Sequence, residues 1–430
     1  MLFALGNLFP QFIVTLLFIV FYNIADADLI LNYVKIEAVI LLSAGFLILG
    51  LDKLIERKYS ENNLIFFKAF YLISLIFFIS ILFIIFFSKN LLIYATGIYS
   101  TTLFLCLSSL FIARGDSKNY FYMRSIRALV IGLTPIYSVY MKFSFVQIME
   151  LRITFEIILV LLFIAFGANF KNFKNLWEHR NISWKDLTYA LPFMITTGAS
   201  LIYLHLDKVI LSGFMGAQVF IDYVLAQKFY LIFCMLLSAG FIRFPINIYQ
   251  NSSKNIFTKK YIFIINIIAL VVLNALIVCG YLLKNEFLPP FVDYNLVYFI
   301  LLGGGLTIII SYITAPFILK KNKSLLNMIS AVIGALTFSA LLFFNKTDKI
   351  QEVFIVIAIS YNLVLFIQLI SIYLDEKFKF ITFYYFILVM VFVYLLGMSI
   401  INLVLYLKIS LILLSIFIFW KYLLPRINWL

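Results

Sequence analysis

Charge is what this chain has least of. Only 12% of its 430 residues are Asp, Glu, Lys or Arg, while 65% are hydrophobic and the mean hydropathy is +1.10. A soluble protein of that length must keep its surface wet, so the composition excludes one. Carboxylates are scarcer still, at 19 against 33 Lys and Arg. There are two His and three Cys. Cys106, Cys234 and Cys279 each fall in an apolar run with no metal-ligand spacing, where a buried thiol is inert. No nucleophile elbow, metal cluster or phosphate-binding glycine loop is present. Gly303-Gly304-Gly305 lies in an apolar run with no Lys-Ser/Thr after it, and reads as close helix packing or a flexible point. An ATP-driven pump is therefore not expected. No cofactor and no metal are expected, and any work comes from an ion gradient, the membrane potential or consumption of substrate.

Long hydrophilic connections are missing too. The longest, about residues 170–185, carries Lys171, Lys174, Glu178, His179, Arg180 and Lys185. That is too short for an extramembrane catalytic domain, so the chain is not expected to be an enzyme. It also weighs against membrane polymerases and transferases that carry a large external loop.

What remains is a succession of about fourteen apolar runs, each near the ~20 residues that a helical span needs. They cover residues 2–22, 34–51, 64–87, 91–113, 125–141, 153–170, 187–212, 221–245, 261–283, 297–319, 325–344, 353–373, 380–402 and 405–424. The runs are continuously apolar and lack the alternation of a barrel, so the fold class is all-α and polytopic. With a cytoplasmic N-terminus, the connections after runs 2, 4, 6, 8, 10 and 12 plus the C-terminal tail hold 19 of the 33 Lys and Arg. The opposite connections hold 6, and 8 lie within runs. This positive-inside asymmetry places both termini in the cytoplasm. Together with attraction to anionic lipid, it accounts for the +14 net charge without nucleic acid. The first run has no basic n-region and no small-residue cleavage site, so it reads as a span and not a removable signal.

An internal echo points to duplication. Leu41-Leu42-Ser43-Ala44-Gly45-Phe46 in run 2 recurs as Leu236-Leu237-Ser238-Ala239-Gly240-Phe241 in run 8. Asn32-Tyr33-Val34 is matched loosely by Asp222-Tyr223-Val224, and Pro10 in run 1 by Pro192 in run 7. A six-plus-six repeat with an even number of spans gives two parallel halves related by an axis along the membrane normal, an arrangement that transporters rock. The expected organisation is an N-terminal six-helix lobe at 1–180, a second at 181–375 and an appended pair at 376–430.

The ionisable residues inside the runs are the functional candidates, because such groups are costly in a bilayer and face a bundle interior or wet cavity. His205, Asp207 and Lys208 lie in run 7 and Lys228 in run 8. Lys68 is near the start of run 3, Arg124 and Arg127 open run 5, and Glu156 is inside run 6. His205 and Lys208, three apart, share a helical face, whereas Asp207 points away. Lys and Arg suit a phosphate through charge-assisted hydrogen bonds. Lys208, Lys228, Arg127, Arg124 and Lys68 are thus candidates for an anionic headgroup. Asp207, His205 and Glu156 are candidates for ion coupling. Competing structural roles are snorkelling of Lys68, Arg124 and Arg127 to the interface, and pairing of Glu156 with Arg152 one turn earlier.

The stretch from Ala190 to Pro245 resembles helices seven and eight of polysaccharide flippases of the Wzx type. These belong to the superfamily of multidrug and toxin extruders and lipid II flippases. The matching features are Leu191-Pro192, Asp207-Lys208, the small-residue loop Gly213 to Ala217, Tyr223, and Ala226-Gln227-Lys228. The stretch from Phe21 to Arg57 has the same character, with Tyr33 and Gly45 to Asp52. The usual Gly-Xaa-Tyr departs here to Leu31-Asn32-Tyr33 and Ile221-Asp222-Tyr223. The resemblance implies two six-helix lobes around a central cationic cavity. It implies transfer of a polyprenyl-pyrophosphate-linked oligosaccharide from the cytoplasmic to the outer leaflet, for surface polysaccharide such as O-antigen or capsule, alongside a polymerase partner in the inner (cell) membrane. A cation-coupled drug exporter of the same fold and a polymerase or transferase of the same pathway are the alternatives.

Overall fold

The computed structural model describes residues 2–48, 50–59, 64–87, 90–167, 184–239 and 324–345, with scattered positions between 353 and 367. All described secondary structure is helical. The helices are α1 (Leu2–Ile24), α2 (Ala27–Leu47), α3 (Leu51–Lys58), α4 (Ile65–Phe87), α5 (Asn90–Arg114), α6 (Ser117–Tyr140), α7 (Phe145–Gly167), α8 (Trp184–Leu201), α9 (Asp207–Leu211), α10 (Ala217–Ala239) and α11 (Ser324–Asn345). A π-helical segment, Ile202–Leu206, joins α8 to α9. Apolar runs 9, 10, 13 and 14, the glycine triplet and Cys279 lie outside the described residues.

Four of these segments, Leu5–Ile24, Ala27–Leu47, Ile65–Leu82 and Leu91–Arg114, are long and apolar enough to cross a membrane. α6 and α7 are equally long but carry charge mid-helix. Much of their apolar surface faces outward, while the mid-helix charges face inward. On α7, Phe155, Ile158, Leu161 and Leu162 are exposed while Arg152, Glu156, Leu159 and Val160 are buried. In water that distribution would be inverted. In lipid the exposed face is solvated by hydrocarbon and the polar groups seek one another.

The chain forms two compact units: Met1–Lys228 with Ala331–Asp348, and Phe229–Ser330 with Lys349–Leu430. In the first, α1 lies along α6, while α5 packs against α2, α3, α4 and α7. Its apolar core gathers Leu51, Leu54 and Ile55 of α3, Ile65 to Ile73 of α4, and Leu103 to Phe111 of α5. On α11, Ala331, Ala335, Phe338 and Leu342 form one buried stripe, with Leu336 and Phe344 exposed opposite. In the second unit, Val353, Val356, Ile357 and Ser360 are buried at helical spacing, and the Ser360 hydroxyl donates to the Val356 carbonyl at 2.8 Å.

Run 2 is longer and more broken than its hydropathy indicates. The chain leaves α2 at Leu47 and turns at Gly50, whose φ of 70° is in the left-handed region, then starts the short amphipathic α3. Only glycine takes that φ without strain. A Cβ there would also run into the backbone of Ala190 and Met194 in α8. Further up the same crossing, Gly45 lies against Leu201, and Gly198 against Phe46. Gly45 of the sequence echo is therefore part of the contact at which α8 approaches α2 closely, as small residues allow between helices in lipid. Lys58 of α3 and Asp186 of α8 close that end with a 2.5 Å ion pair. The second copy, Leu236 to Phe241, lies outside the described side chains.

Candidate functional site

Two polar centres are buried among these helices, and the first is built on arginine. α6 begins at Ser117, where the Asp116 carboxylate accepts from the Asn119 amide at 3.1 Å, so this helix starts well before residue 125. Arg124 and Arg127 therefore do not open the helix but sit two to three turns inside it. Arg127 does not snorkel. Its guanidinium lies 2.6 Å from Glu156 of α7 and 4.1 Å above the Phe104 ring of α5. The Thr101 hydroxyl of α5 donates to Glu156 at 3.3 Å. A fully buried carboxylate with three donor contacts from two other helices is a compensated charge. Glu156 is thus paired across helices with Arg127, which displaces the expected pairing with Arg152.

Arg152 takes a different partner. α7 starts at Phe145, so Arg152 lies inside the helix and not in the connection before it. Its side chain is completely buried, 5.7 Å from the Tyr33 ring centroid, and meets Glu37 of α2 at 3.4 Å. Its Nε and Nη1 have no hydrogen-bond partner among the described residues. Tyr33 spends its own hydroxyl on the Ile131 carbonyl of α6, at 3.1 Å. Arg124 is held on the α1 side, donating to Asn7 and Tyr120, with the Tyr120 hydroxyl also donating to Asn7 at 2.7 Å. Asn7, Pro10, Gln11, Phe104, Arg124 and Arg127 line a cleft of about 100 Å³ between α1 and α6.

The second centre is built on Asp207. The π-helical turn that precedes it widens the helix, and such insertions are frequent at functional sites. They also shift helical phase, so the simple three-apart rule for His205 and Lys208 does not carry through. The Lys208 ammonium turns back to donate to the Leu204 carbonyl and reaches Asp207 at 3.5 Å. The main partners of Asp207 are on α10: Tyr223 donates to one carboxylate oxygen, and so does Gln227 at 2.8 Å. Three pieces of the sequence pattern, Asp207-Lys208, Tyr223 and Gln227, thus converge on one carboxylate.

Lys228, next along α10, lies 4.6 Å from the centre of the Phe18 ring of α1, a cation–π contact. No carboxylate lies within ion-pair distance of it among the described residues. His205 feels the charges of Lys208 and Lys228. No ion pair or hydrogen bond described joins Lys68, half-buried near the start of α4, to the other candidates. Among the described residues no cluster of His, Cys, Asp and Glu is arranged for a metal. Cys106 is a buried free thiol.

Glu37 links the two centres. It is the ion-pair partner of Arg152, and it lies within electrostatic range of both Lys208 and Lys228. Sequence reasoning missed it because the acid sits near the start of an otherwise apolar run. Its spacing from Tyr33, four residues, is the same as that of Gln227 from Tyr223, and this was the available signal.

No protein-family model matches the chain, and no curated protein matches it in sequence. Among solved structures it is similar to the lipid II flippase MurJ in an inward closed conformation. The TM-score is 0.69 and the identity 15%, covering 99% of this chain and 99% of that one. A eukaryotic MATE transporter aligns over 87% of this chain and 94% of that one, with a TM-score of 0.41 and 12% identity, too distant to carry an argument. The fold is thus the all-helical, multi-pass membrane fold of the MurJ structure.

Proposed function

We propose that this protein is a flippase of the Wzx kind, which moves a polyprenyl-pyrophosphate-linked oligosaccharide from the cytoplasmic to the outer leaflet. Its substrate serves surface polysaccharide biosynthesis (O-antigen or capsule), and a polymerase acts on it next. The protein sits in the inner membrane with both termini cytoplasmic. Its lobes, 1–180 and 181–375, alternate access to a cationic cavity, and 376–430 is an added helix pair.

The observation that carries this reading is a set of cations, Arg152 and Lys208 buried and Arg127 and Lys228 partly buried, inside a membrane fold similar to that of a lipid II flippase. A sugar headgroup cannot enter hydrocarbon without losing hydrogen bonds to its hydroxyls. A polar interior holds the headgroup while the lipid tail stays in the bilayer. Cationic residues offset the pyrophosphate charge. Arg152, Lys208 and Lys228 are the candidates, and Lys228 is paired with an aromatic ring and not with a carboxylate among the described residues. Export of cationic drugs by the same fold fits less well, because two of the buried acids, Glu156 and Asp207, are already engaged by Arg127 and by Tyr223 and Gln227.

The test is a deletion strain complemented with wild type, Lys208→Ala or Lys228→Ala at equal membrane abundance. The deletion should accumulate the lipid-linked unit on the cytoplasmic side, and the lysine variants should fail to clear it. If the deletion accumulates none, the flippase reading is wrong, and drug export becomes the reading to test.

A further inference from the structure

The two Arg–Glu pairs on α7 are built differently. Arg127 and Glu156 are 2.6 Å apart, with Thr101 completing the acid's contacts. Arg152 and Glu37 are 3.4 Å apart, and two of the three guanidinium nitrogens of Arg152 are buried without a partner. A guanidinium is a five-donor fork that normally fills its hydrogen bonds when buried. Leaving buried donors empty is costly, so orphaned donors of this kind ask for a reason.

Glu37 is the movable member of the pair. Its side chain keeps 18% exposure, whereas that of Arg152 has none. A longer contact and an open side make the carboxylate the group that a competing anion can displace. An alternative cation is already in electrostatic range: Lys228, held on the Phe18 ring with no carboxylate of its own among the described residues. Lys208 is less suited, since it is engaged by the Leu204 carbonyl and Asp207.

We propose that Glu37 is the resident counter-anion of a phosphate site centred on Arg152, and that a phosphate oxygen of the cargo takes its place while the carboxylate re-pairs with Lys228. The step is an exchange of ion pairs in which no covalent bond changes. Once Glu37 leaves Nη2, that nitrogen and the orphaned Nε form the fork that two phosphate oxygens fill, with Nη1 left for a further contact. The exchange links anion occupancy at α7 to a contact between α2 and α10. This inference rests on the flippase reading for the identity of the cargo, but the site itself is defined by anion chemistry alone.

The experiment is isothermal titration calorimetry of inorganic pyrophosphate into the detergent-purified full chain at fixed ionic strength. Wild type, Glu37→Gln, Arg152→Gln, Arg152→Lys and the exposed-lysine control Lys118→Gln are compared, each first checked for a single size-exclusion peak. Glu37→Gln, which removes the competing charge, should bind about tenfold tighter than wild type, equivalent to about 1.4 kcal/mol. Arg152→Gln should lose measurable binding. Should it not fold, Arg152→Lys, which keeps the charge but not the fork, should bind about tenfold more weakly than wild type. Lys118→Gln should match wild type. Equal or weaker binding by Glu37→Gln, or undiminished binding by a folded Arg152 variant, overturns the proposal. If this pattern holds in a protein whose deletion leaves lipid-linked oligosaccharide undisturbed, the site stands and the flippase reading falls. If deletion blocks transfer but the variants bind alike, the reverse is true.

Discussion

The Asp207 centre and the Arg152 centre use the same local geometry to opposite ends. In each, a tyrosine and a second polar side chain four residues later project from one helix toward a buried charge. At α10 these are Tyr223 and Gln227, which meet an acid. At α2 they are Tyr33 and Glu37, which lie beside Arg152, with Tyr33 bonding elsewhere. The acid is surrounded by donors. The arginine keeps two nitrogens empty. A buried ion whose contacts are complete has no reason to exchange partners, and one with contacts missing does. The lesson is that two sites alike in sequence spacing can be, respectively, a fixed brace and an open receptor.

The widest separation between them is expected from paired amide substitutions. Asp207→Asn keeps one oxygen for Tyr223 and Gln227 but turns an NH₂ group toward Lys208 and leaves the lysine uncompensated, costing about 3 kcal/mol or more. Glu37→Gln also leaves a cation uncompensated, but it keeps a carbonyl oxygen facing Arg152 across a longer, part-exposed contact and should cost less, about 1–2 kcal/mol. Thermal unfolding in detergent reads both, and equal losses would break the distinction between brace and receptor.

A finer comparison removes the two hydroxyls. Tyr223→Phe deletes a bond to a carboxylate and should lower stability by about 1.5–3 kcal/mol, whereas Tyr33→Phe deletes a bond to a backbone carbonyl and should cost about 0.5–1.5 kcal/mol. If the order is reversed, the Asp207 cluster is not the stronger of the two.

The crossing of α2 with α8 holds the two centres in register. Gly50→Ala forces a Cβ into a left-handed backbone and toward Ala190, so a loss of about 1–2 kcal/mol is expected. An unchanged unfolding temperature would mean that the crossing is not tight.

The smallest effect concerns a third acid, Asp52 of α3, whose Oδ1 is buried without a partner. Burial pushes its carboxyl above the usual range. A raised folded-state value favours the protonated form, so its contribution to stability is full below the unfolded value of about 4 and is lost as pH rises through the folded value. Asp52→Asn should flatten stability against pH from about 4 upward. A slope identical to that of wild type would show that Asp52 is hydrated.

Much of this was legible in the chain. Apolar runs near span length announced helices, and α1, α4 and α5 follow runs 1, 3 and 4 closely. Runs were cut short wherever charge interrupted them, because hydropathy alone treats a charged residue as an exit from the membrane. Read that way, Arg124 and Arg127 stand at a run opening and Arg152 outside one, whereas all three lie inside helices. Spacing along one helix also suggested pairing Glu156 with Arg152, but a neighbour on another helix was nearer.

Composition and order alone determined that this chain lives in a bilayer, is helical and carries a small set of interior charges. Those properties follow from the free energy of transferring residues between water and hydrocarbon, which acts on each segment separately. Which charge meets which was decided only by tertiary structure. Partner choice depends on distances between helices far apart in sequence: Glu37 with Arg152, Arg127 with Glu156, and Asp207 with Tyr223 and Gln227. Hydrogen bonds and ion pairs fall off steeply with distance and angle. Only the packed fold fixes those to the ångström, and with them the difference between a completed charge and one still open to a ligand.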